Sequence, residues 1–208
     1  MASTVPSYEK RFMPWLFNLA VALIFAPFGG ARKLRNRALD LTGIGPGSRV
    51  LELGCGTGGV TALILARGAN VLALDGSARM LEQARRAAPA ADFKHAQLED
   101  LDVSGSYNVV LLAFVLHELS PALRRAVLAK GLAALDTGGR IAILDHAVPS
   151  SRLGARFWRR LLMMMEPPSV RDCIEKGYAA EIQASGGETE AVHLLAGGTA
   201  ALTLAKPL

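Results

Sequence analysis

Short apolar runs and helical segments alternate along the middle of the chain, from Arg49 to Ile143. The runs are rich in leucine and β-branched residues, which is typical of buried strands, and the segments between them space their apolar positions as amphipathic helices do. The predicted strands end near Leu53, Leu74, Ala96, Ala113 and Asp145. Because strands that alternate with helices assemble into parallel sheets, the pattern predicts an α/β fold with helices on both faces of the sheet.

The carboxyl-terminal part of the chain follows a different pattern. Glu188–Ala196 and Thr199–Ala205 are two strand-like runs that Gly197 and Gly198 separate, which predicts a closing antiparallel hairpin. The length of 208 residues suits one domain with a substantial core.

Two apolar segments lie outside the alternation. Phe12–Ala31 has no charged residue, but its unbroken apolar centre, Leu19–Ala26, is much shorter than the roughly 20 residues that cross a membrane. We interpret it as part of an apolar lid over residues 1–40, with a helix packed on the sheet as the alternative. Arg152–Pro168 mixes arginines with aromatic, leucine and methionine residues and predicts a basic amphipathic helix. That helix is expected to form a second lid over residues 150–170 or to rest on an anionic membrane; the alternative is a core helix with solvated arginines.

Composition narrows the class of protein. The net charge is +5, but the basic residues are spread along the chain without interleaved aromatic residues, so nucleic acid is not an expected partner. Cys55 and Cys173 are the two cysteines, too few for a disulfide framework, which favours a protein of the reducing cytoplasm. Peripheral contact with the membrane is a second, separate expectation. No cysteine or histidine pair has metal-ligand spacing, so no metal site is predicted. The oligomeric state is not predicted.

The segment from Val50 to Gly59 carries the strongest chemical signal. A strand runs into a glycine-rich turn, and a helix begins near Thr61, so bare backbone N–H groups face a nucleotide or nucleoside ligand. The glycines at positions 54, 56 and 59 fit the dinucleotide pattern G-x-G-x-x-G, whereas those at 54, 56 and 58 fit E-x-G-x-G-x-G, counted from Glu52. A carboxylate repels a pyrophosphate but attracts the ammonium and sulfonium groups of S-adenosylmethionine, so Glu52 favours the second pattern.

This second pattern resembles motif I of the class I S-adenosylmethionine-dependent methyltransferases. Asp75 ends the next predicted strand, where an acid can accept both ribose hydroxyls, and Asp75–Leu81 resembles the family's D-x-S-x-x-M-L run. Phe93–Leu101 resembles motif III, with Gln97 in place of the usual aspartate, and Tyr107–Leu119 resembles motif IV. The cofactor-binding residues that the resemblance implies are Tyr8, Arg35, Glu52, Gly54, Cys55, Gly56, Gly58, Asp75, Gly76, Met80, Gln97, Leu98 and Ala113.

The resemblance also implies particular contacts with S-adenosylmethionine. Met80 is expected to pack on the adenine, Gln97 to accept from the adenine amino group, and the backbone of Leu98 to donate to the ring. Tyr8 is expected to close over the methionine part, and Arg35 to reach its carboxylate. From the residues alone, the alternatives are Met80 as a core residue, Arg35 as a solvated cation and Cys55 as a small residue between two glycines.

The resemblance implies a single domain whose Rossmann-like core spans residues 41–208, with sheet order 3-2-1-4-5-7-6 and an antiparallel seventh strand. The most similar subgroup contains the ubiquinone/menaquinone C-methyltransferases and the phospholipid N-methyltransferases. It implies methyl transfer to an apolar or lipid-like acceptor, either a quinone ring or a phospholipid amine. The alternatives are a soluble metabolite as acceptor, an NAD-dependent oxidoreductase, and a non-enzymatic S-adenosylmethionine-binding protein at a membrane.

Methyl transfer from a sulfonium needs a general base only if the acceptor must lose a proton. His117 and His146 follow the fourth and fifth predicted strands and therefore fall at the expected cofactor edge. Both are candidate catalytic residues because imidazole titrates near neutrality, with a structural role as the alternative.

Overall fold

The computed structural model describes residues 25–102, 106–166 and 168–208. Residues 1–24 of the predicted amino-terminal lid, which include Tyr8, lie outside the described residues. Phe25 begins the described chain and is almost fully buried.

The described residues contain one seven-stranded sheet with the order β3-β2-β1-β4-β5-β7-β6. Its strands are β1 (Arg49–Leu53), β2 (Asn70–Asp75), β3 (Asp92–His95), β4 (Tyr107–Ala113), β5 (Leu135–His146), β6 (Gly187–Leu195) and β7 (Ala200–Pro207). Strands β1 to β5 pair in parallel, and β7 pairs antiparallel with both β5 and β6. The predicted fold class, sheet order and antiparallel seventh strand are confirmed, and strands β1 to β5 end within one residue of the predicted positions.

Helices cover both faces of the sheet. They are α1 (Gly30–Thr42), α2 (Thr61–Leu65), α3 (Ala78–Ala87), α4 (Pro121–Ala133), α5 (Arg152–Met165), α6 (Val170–Lys176) and α7 (Ala179–Ala184). No helix in the described part of the chain combines the length and the hydropathy needed to cross a bilayer.

Alternate residues of each central strand enter opposite halves of the core, as the two-residue period of a strand requires. Val50 and Val109 pack with α1, α2 and α3, whereas their neighbours Leu51 and Val110 pack with α4 and α7 on the other face. Burial of both faces explains why the parallel strands appear in the sequence as continuous apolar runs. Because β1, β2 and β5 belong to the parallel part of the sheet, the polar residues near their carboxyl ends lie at the same edge.

Candidate active site

The glycine turn after β1 lies tightly against its neighbours. The backbone N–H groups of Gly54 and Cys55 both donate to the carbonyl of Leu74, at 2.8 and 2.9 Å. Gly58 has φ +78°, and a Cβ atom there would lie 2.8 Å from the Cα of Ala84 in α3. Gly56 also has a positive φ of +54°. A side chain therefore cannot enter the turn at Gly58 without moving the backbone of α3.

Glu52 lies beneath this turn rather than at its surface. Its side chain is only 1% exposed, and one carboxylate oxygen accepts from the hydroxyl of Thr61 at 2.6 Å. Burial raises the pKa of Glu52 to about 7, although the hydrogen bond from Thr61 and the charge of Arg35 oppose the rise. Burial also lowers the pKa of Arg35, and the charge of Glu52 works against that change. The buried carboxyl of Glu52 and the half-buried guanidinium of Arg35 are therefore electrostatically coupled below the glycine turn.

Asp75 is held at the mouth of the turn by the backbone. Its two carboxylate oxygens accept from the N–H groups of Gly56 and Ser77, each at 2.8 Å. The carbonyl of Gly76 contacts Nε2 of His95 at 2.9 Å and accepts from the side-chain amide of Gln97 at 3.4 Å. The ends of β2 and β3 therefore meet beside the turn, with one carboxylate in a fixed orientation.

The other predicted cofactor residues lie around the same edge. Met80 is 3% exposed on α3, and its N–H donates to the helix-capping hydroxyl of Ser77. Leu98 and Ala113 are half-buried and pack against the core. Cys55 is buried, and its burial together with the nearby carboxylates raises its thiol pKa far above the ordinary value. Cys55 is therefore a neutral thiol, as expected for a small loop residue.

A second polar cluster lies at the ends of β4 and β5, around the buried carboxylate of Asp145. This carboxylate accepts from Nδ1 of His117 and from the hydroxyl of Tyr178, both at 2.7 Å. It also accepts from the backbone N–H groups of His117 and His146. Burial alone would raise the pKa of Asp145, but the charge and hydrogen bond of His117 outweigh it and lower the pKa to about 2.

His117 lies between two carboxylates. Its Nδ1 faces Asp145, and its Nε2 lies 3.2 Å from a carboxylate oxygen of Glu166, just beyond the end of α5. Burial favours the neutral ring, but Asp145 and Glu166 outweigh it and raise the pKa of His117 to about 10. Both ring nitrogens therefore carry protons at neutral pH, because an ionised carboxylate can only accept.

Glu166 contacts both predicted catalytic histidines. Its second carboxylate oxygen lies 3.5 Å from Nε2 of His146, and its first faces His117. Burial opposes ionisation of Glu166, but hydrogen bonds with the two histidines outweigh it and hold its pKa well below the ordinary range. Glu166 thus joins the end of α5 to the ends of β4 and β5.

Aromatic rings surround His146. The ring of Phe114 lies 5.0 Å from that of His146 and 5.5 Å from that of Phe25, measured between centroids. The indole of Trp158, on α5, lies 6.4 Å from His146 on the same measure. Phe114 has φ +59°, which is uncommon for a bulky residue, and its N–H donates to the carbonyl of Leu144 at 2.7 Å. The strained backbone places this ring directly after β4.

The structure also gathers possible metal ligands, although the sequence predicts no metal site. One candidate ligand atom each from His117, Asp145 and His146 lies within 4.8 Å of the others. Hydrogen bonds and ion pairs with Asp145 and Glu166 account for the close approach of the two histidines.

Sequence reasoning missed Glu166, Trp158 and Tyr178 as residues of this cluster. Glu166 contacts a histidine 49 positions away, and Tyr178 contacts an aspartate 33 positions away. No short-range pattern in the sequence predicts contacts between residues so far apart. The acidic residue directly before His146, at the end of a predicted strand, was the one usable signal.

The first cluster fits S-adenosylmethionine. The predicted free N–H groups are not found at Gly54, Cys55 and Gly56, which all donate within the protein, but the glycine turn does approach a fixed carboxylate at the end of β2. The buried acid beneath the turn suits a cationic ligand better than a pyrophosphate. The second cluster lies at the ends of β4 and β5, along the same edge of the sheet.

Comparisons with known proteins bear on the family and the fold. Residues 50–139 match the family model described as a methyltransferase domain. An uncharacterized methyltransferase of Synechocystis sp. is 29% identical over 96% of this chain and 94% of its own length. A demethylmenaquinone methyltransferase of Beutenbergia cavernae is 33% identical over 58% of this chain, and the alignment spans half of that relative.

The solved structure of a TehB-like methyltransferase from Corynebacterium glutamicum has the same fold. It superposes with a TM-score of 0.68 over 98% of this chain and all of the other, at 19% identity. The sheet order, the glycine turn and these relatives support a class I S-adenosylmethionine-dependent methyltransferase that resembles the quinone C-methyltransferases.

Proposed function

We propose that this enzyme methylates an apolar, lipid-like acceptor and that a reduced quinone ring is the acceptor class. One observation carries the proposal: α5 presents an exposed apolar stripe beside arginines while its opposite side contacts the histidine cluster. The names of two relatives, the demethylmenaquinone methyltransferase and a ubiquinone/menaquinone biosynthesis C-methyltransferase of Stutzerimonas stutzeri, support the quinone ring.

The exposed stripe consists of Leu153, Phe157 and Met164, which are 85%, 71% and 77% exposed. Their spacing places them on one side of the helix, since residues four and eleven positions apart point in similar directions. Trp158 and Leu162, on the other side, are almost fully buried. The exposed arginines of the helix are Arg152, Arg156, Arg159 and Arg160.

Apolar side chains beside arginines on one exposed helix are typical of a helix that lies in the surface of an anionic membrane. Each leucine or phenylalanine transferred from water contributes about 2 kcal/mol, and each arginine adds attraction to anionic headgroups. We propose that this helix rests on the membrane that dissolves the acceptor. The same helix carries Trp158 and ends just before Glu166. It would therefore contact the membrane on one side and the acceptor on the other.

We propose that the glycine turn holds the methyl donor as the family resemblance implies. Asp75 would accept the ribose hydroxyls, and Met80 and Gln97 would contact the adenine. Glu52 and Arg35 together would determine the electrostatic potential around the methionine part of the cofactor. The reaction is an in-line displacement with a neutral leaving group, so these residues act by position and by exclusion of water.

We propose that His117 and His146 serve the acceptor, with different roles. His117 is held by two carboxylates and keeps both protons, so it positions the cluster. His146 lies nearer the aromatic rings and is the candidate for contact with the acceptor.

Calorimetry with S-adenosylmethionine and with NAD tests the cofactor, and binding of NAD alone would contradict the assignment. Purified enzyme with methyl-labelled cofactor is then offered a lipid extract, with and without chemical reduction, and a polar metabolite extract. We expect label in the reduced lipid extract, in a ring methyl group. Label confined to the polar extract would exclude a lipid acceptor, and label in a headgroup amine would exclude the quinone ring.

Membrane contact is tested by co-sedimentation with vesicles. We expect the protein to pellet with vesicles containing phosphatidylglycerol and not with pure phosphatidylcholine. Combined Leu153→Ser and Phe157→Ser substitutions should lower binding by more than about tenfold, without changing affinity for S-adenosylmethionine. Val192→Ser with Leu194→Ser is the matched control, because these β6 residues are also exposed, at 57% and 61%. Equal losses of vesicle binding in the two double variants would show that α5 is not the membrane contact.

A further inference from the structure

Two buried polar atoms near the histidine cluster have no hydrogen-bond partner in the described part of the chain. They are Nδ1 of His146 and Nε1 of Trp158. Both side chains are more than nine-tenths buried. A buried polar atom without a partner destabilises the folded state, so native structures keep few of them without a functional reason.

The contact with Glu166 determines which nitrogen of His146 carries the proton. Nε2 of His146 faces the Glu166 carboxylate at 3.5 Å. Since an ionised carboxylate only accepts, the tautomer that fits this contact carries its proton on Nε2 and presents a lone pair at Nδ1. His117 has no such lone pair, because its two nitrogens face Asp145 and Glu166.

Trp158 supplies the complementary group. Its indole Nε1–H can only donate. The two rings lie 6.4 Å apart between centroids, and Phe114 lies 5.0 Å from His146 on the same measure. A hydroxyl on an aromatic ring matches this pair, because its proton can be donated to Nδ1 while its oxygen accepts from the indole. The aromatic side chains suit the faces and edges of such a ring.

We propose that His146 and Trp158 form the polar subsite for a phenolic or hydroquinone hydroxyl of the acceptor, with Nδ1 of His146 as general base. Glu166 is a positioning residue that fixes the tautomer of His146. The inference rests on the proposed function and assigns the two side chains that would recognise the acceptor's hydroxyl. Because the two atoms are closed to solvent, the acceptor reaches them by displacing the side chains that cover them.

The chemical step balances without any further reactant. The hydroxyl proton moves to Nδ1 of His146, and the resulting phenolate attacks the methyl carbon of S-adenosylmethionine through its oxygen or a ring carbon. The new bond forms as the carbon–sulfur bond breaks, and its electron pair stays on sulfur. In ring methylation the displaced ring hydrogen then leaves as a proton and the oxygen is reprotonated, so one proton is released for each methyl transferred.

The test uses the full chain, S-adenosylmethionine and a prenylated naphthohydroquinone kept reduced with dithionite. His146→Gln should lower kcat by about a hundredfold or more with little change in KM. Trp158→Phe keeps the ring but removes the donor, and should raise KM by about fivefold. Glu166→Gln should lower kcat while leaving KM unchanged, and Glu166→Asp should recover part of the loss. His193→Gln, a half-buried β6 histidine far along the chain, is the control and should match the wild type.

Two further readouts separate chemistry from structure. Added imidazole should restore part of the activity of His146→Ala, as expected when a missing base is supplied. With S-adenosylhomocysteine bound, the naphthohydroquinone should shift the indole N–H resonance of Trp158, which the Trp158→Phe spectrum assigns. Folding of every variant is checked by its affinity for S-adenosylmethionine.

Failure of this inference differs from failure of the proposed function. If the wild type binds S-adenosylmethionine and methylates the probe, but His146→Gln keeps its kcat or the Trp158 resonance does not move, the subsite assignment is wrong. Activity that a chelator abolishes and Zn²⁺ restores would also overturn a histidine base. No binding of S-adenosylmethionine by the wild type would instead refute the proposed function itself.

Discussion

The buried carboxyl of Glu52 makes a strong prediction about how stability depends on pH. Its side chain is 1% exposed, and burial raises its pKa from 4.5 to about 7. The folded protein therefore keeps the Glu52 proton at pH values where the unfolded chain has lost it. By linkage, the free energy of unfolding falls as pH rises from about 4.5 through 7 and becomes level above that range.

The size of the effect follows from the two pKa values. The gap between 4.5 and about 7 corresponds to about 3 kcal/mol at 1.36 kcal/mol for each pKa unit. Glu52→Gln removes the ionisation while keeping an oxygen that can accept from Thr61. The wild type should thus lose about 2.5 kcal/mol more than Glu52→Gln between pH 5 and pH 9, because a small part of the loss already occurs below pH 5.

Urea unfolding of both proteins without cofactor, at intervals between those pH values, measures this difference. Glu82→Gln is the control, because Glu82 is largely exposed in a helical ion pair with Arg86. Parallel pH profiles for the wild type and Glu52→Gln would refute the reasoning. If the cofactor's positive charges lie near Glu52, S-adenosylmethionine binding at pH 7 should release protons in the wild type and fewer in Glu52→Gln, as calorimetry in buffers of different ionisation heat would show.

Two further predictions concern the backbone turn and a buried cation. Gly58→Ala should destabilise the fold by about 3 kcal/mol and weaken cofactor binding, whereas Gly138→Ala, at a similar positive φ but with no atom within 4 Å of its Cβ, should cost about 1 kcal/mol in urea unfolding. Arg124 is 1% exposed and donates to the carbonyl of Leu116. Thermal and urea unfolding should show that Arg124→Met lowers the free energy of unfolding by about 4 kcal/mol, whereas the exposed Arg125→Ala lowers it by less than about 0.5 kcal/mol. Similar losses in the two variants would contradict the buried network around Arg124.

The strand order and the cofactor edge could be predicted because their signals are local. A parallel strand buried on both faces appears as one apolar run, and Glu52 and Asp75 each stand within a short motif. The network around Asp145 could not be predicted in the same way. It joins residues from β5, the exit of β4 and the segments after α5, and no periodicity relates them.

The helix after β5 shows a second limit of sequence reasoning. Its amphipathic pattern was predicted, but Phe157 and Trp158 are adjacent aromatic residues with opposite surroundings. Phe157 is 71% exposed and Trp158 is 4% exposed. The sequence pattern predicts a helix, whereas the elements that pack against the helix determine which of its sides is buried.

Phe114 shows what selection for stability alone would do to this enzyme. A left-handed backbone at a phenylalanine costs on the order of 1 kcal/mol, and glycine would remove that cost. A directed-evolution screen that rewards heat resistance should therefore favour Phe114→Gly where loss of the ring's own packing is compensated elsewhere. The same change deletes the ring between Phe25 and His146. Thermostability and turnover are thus opposed at this position, and a useful stabilised variant has to be sought elsewhere in the chain.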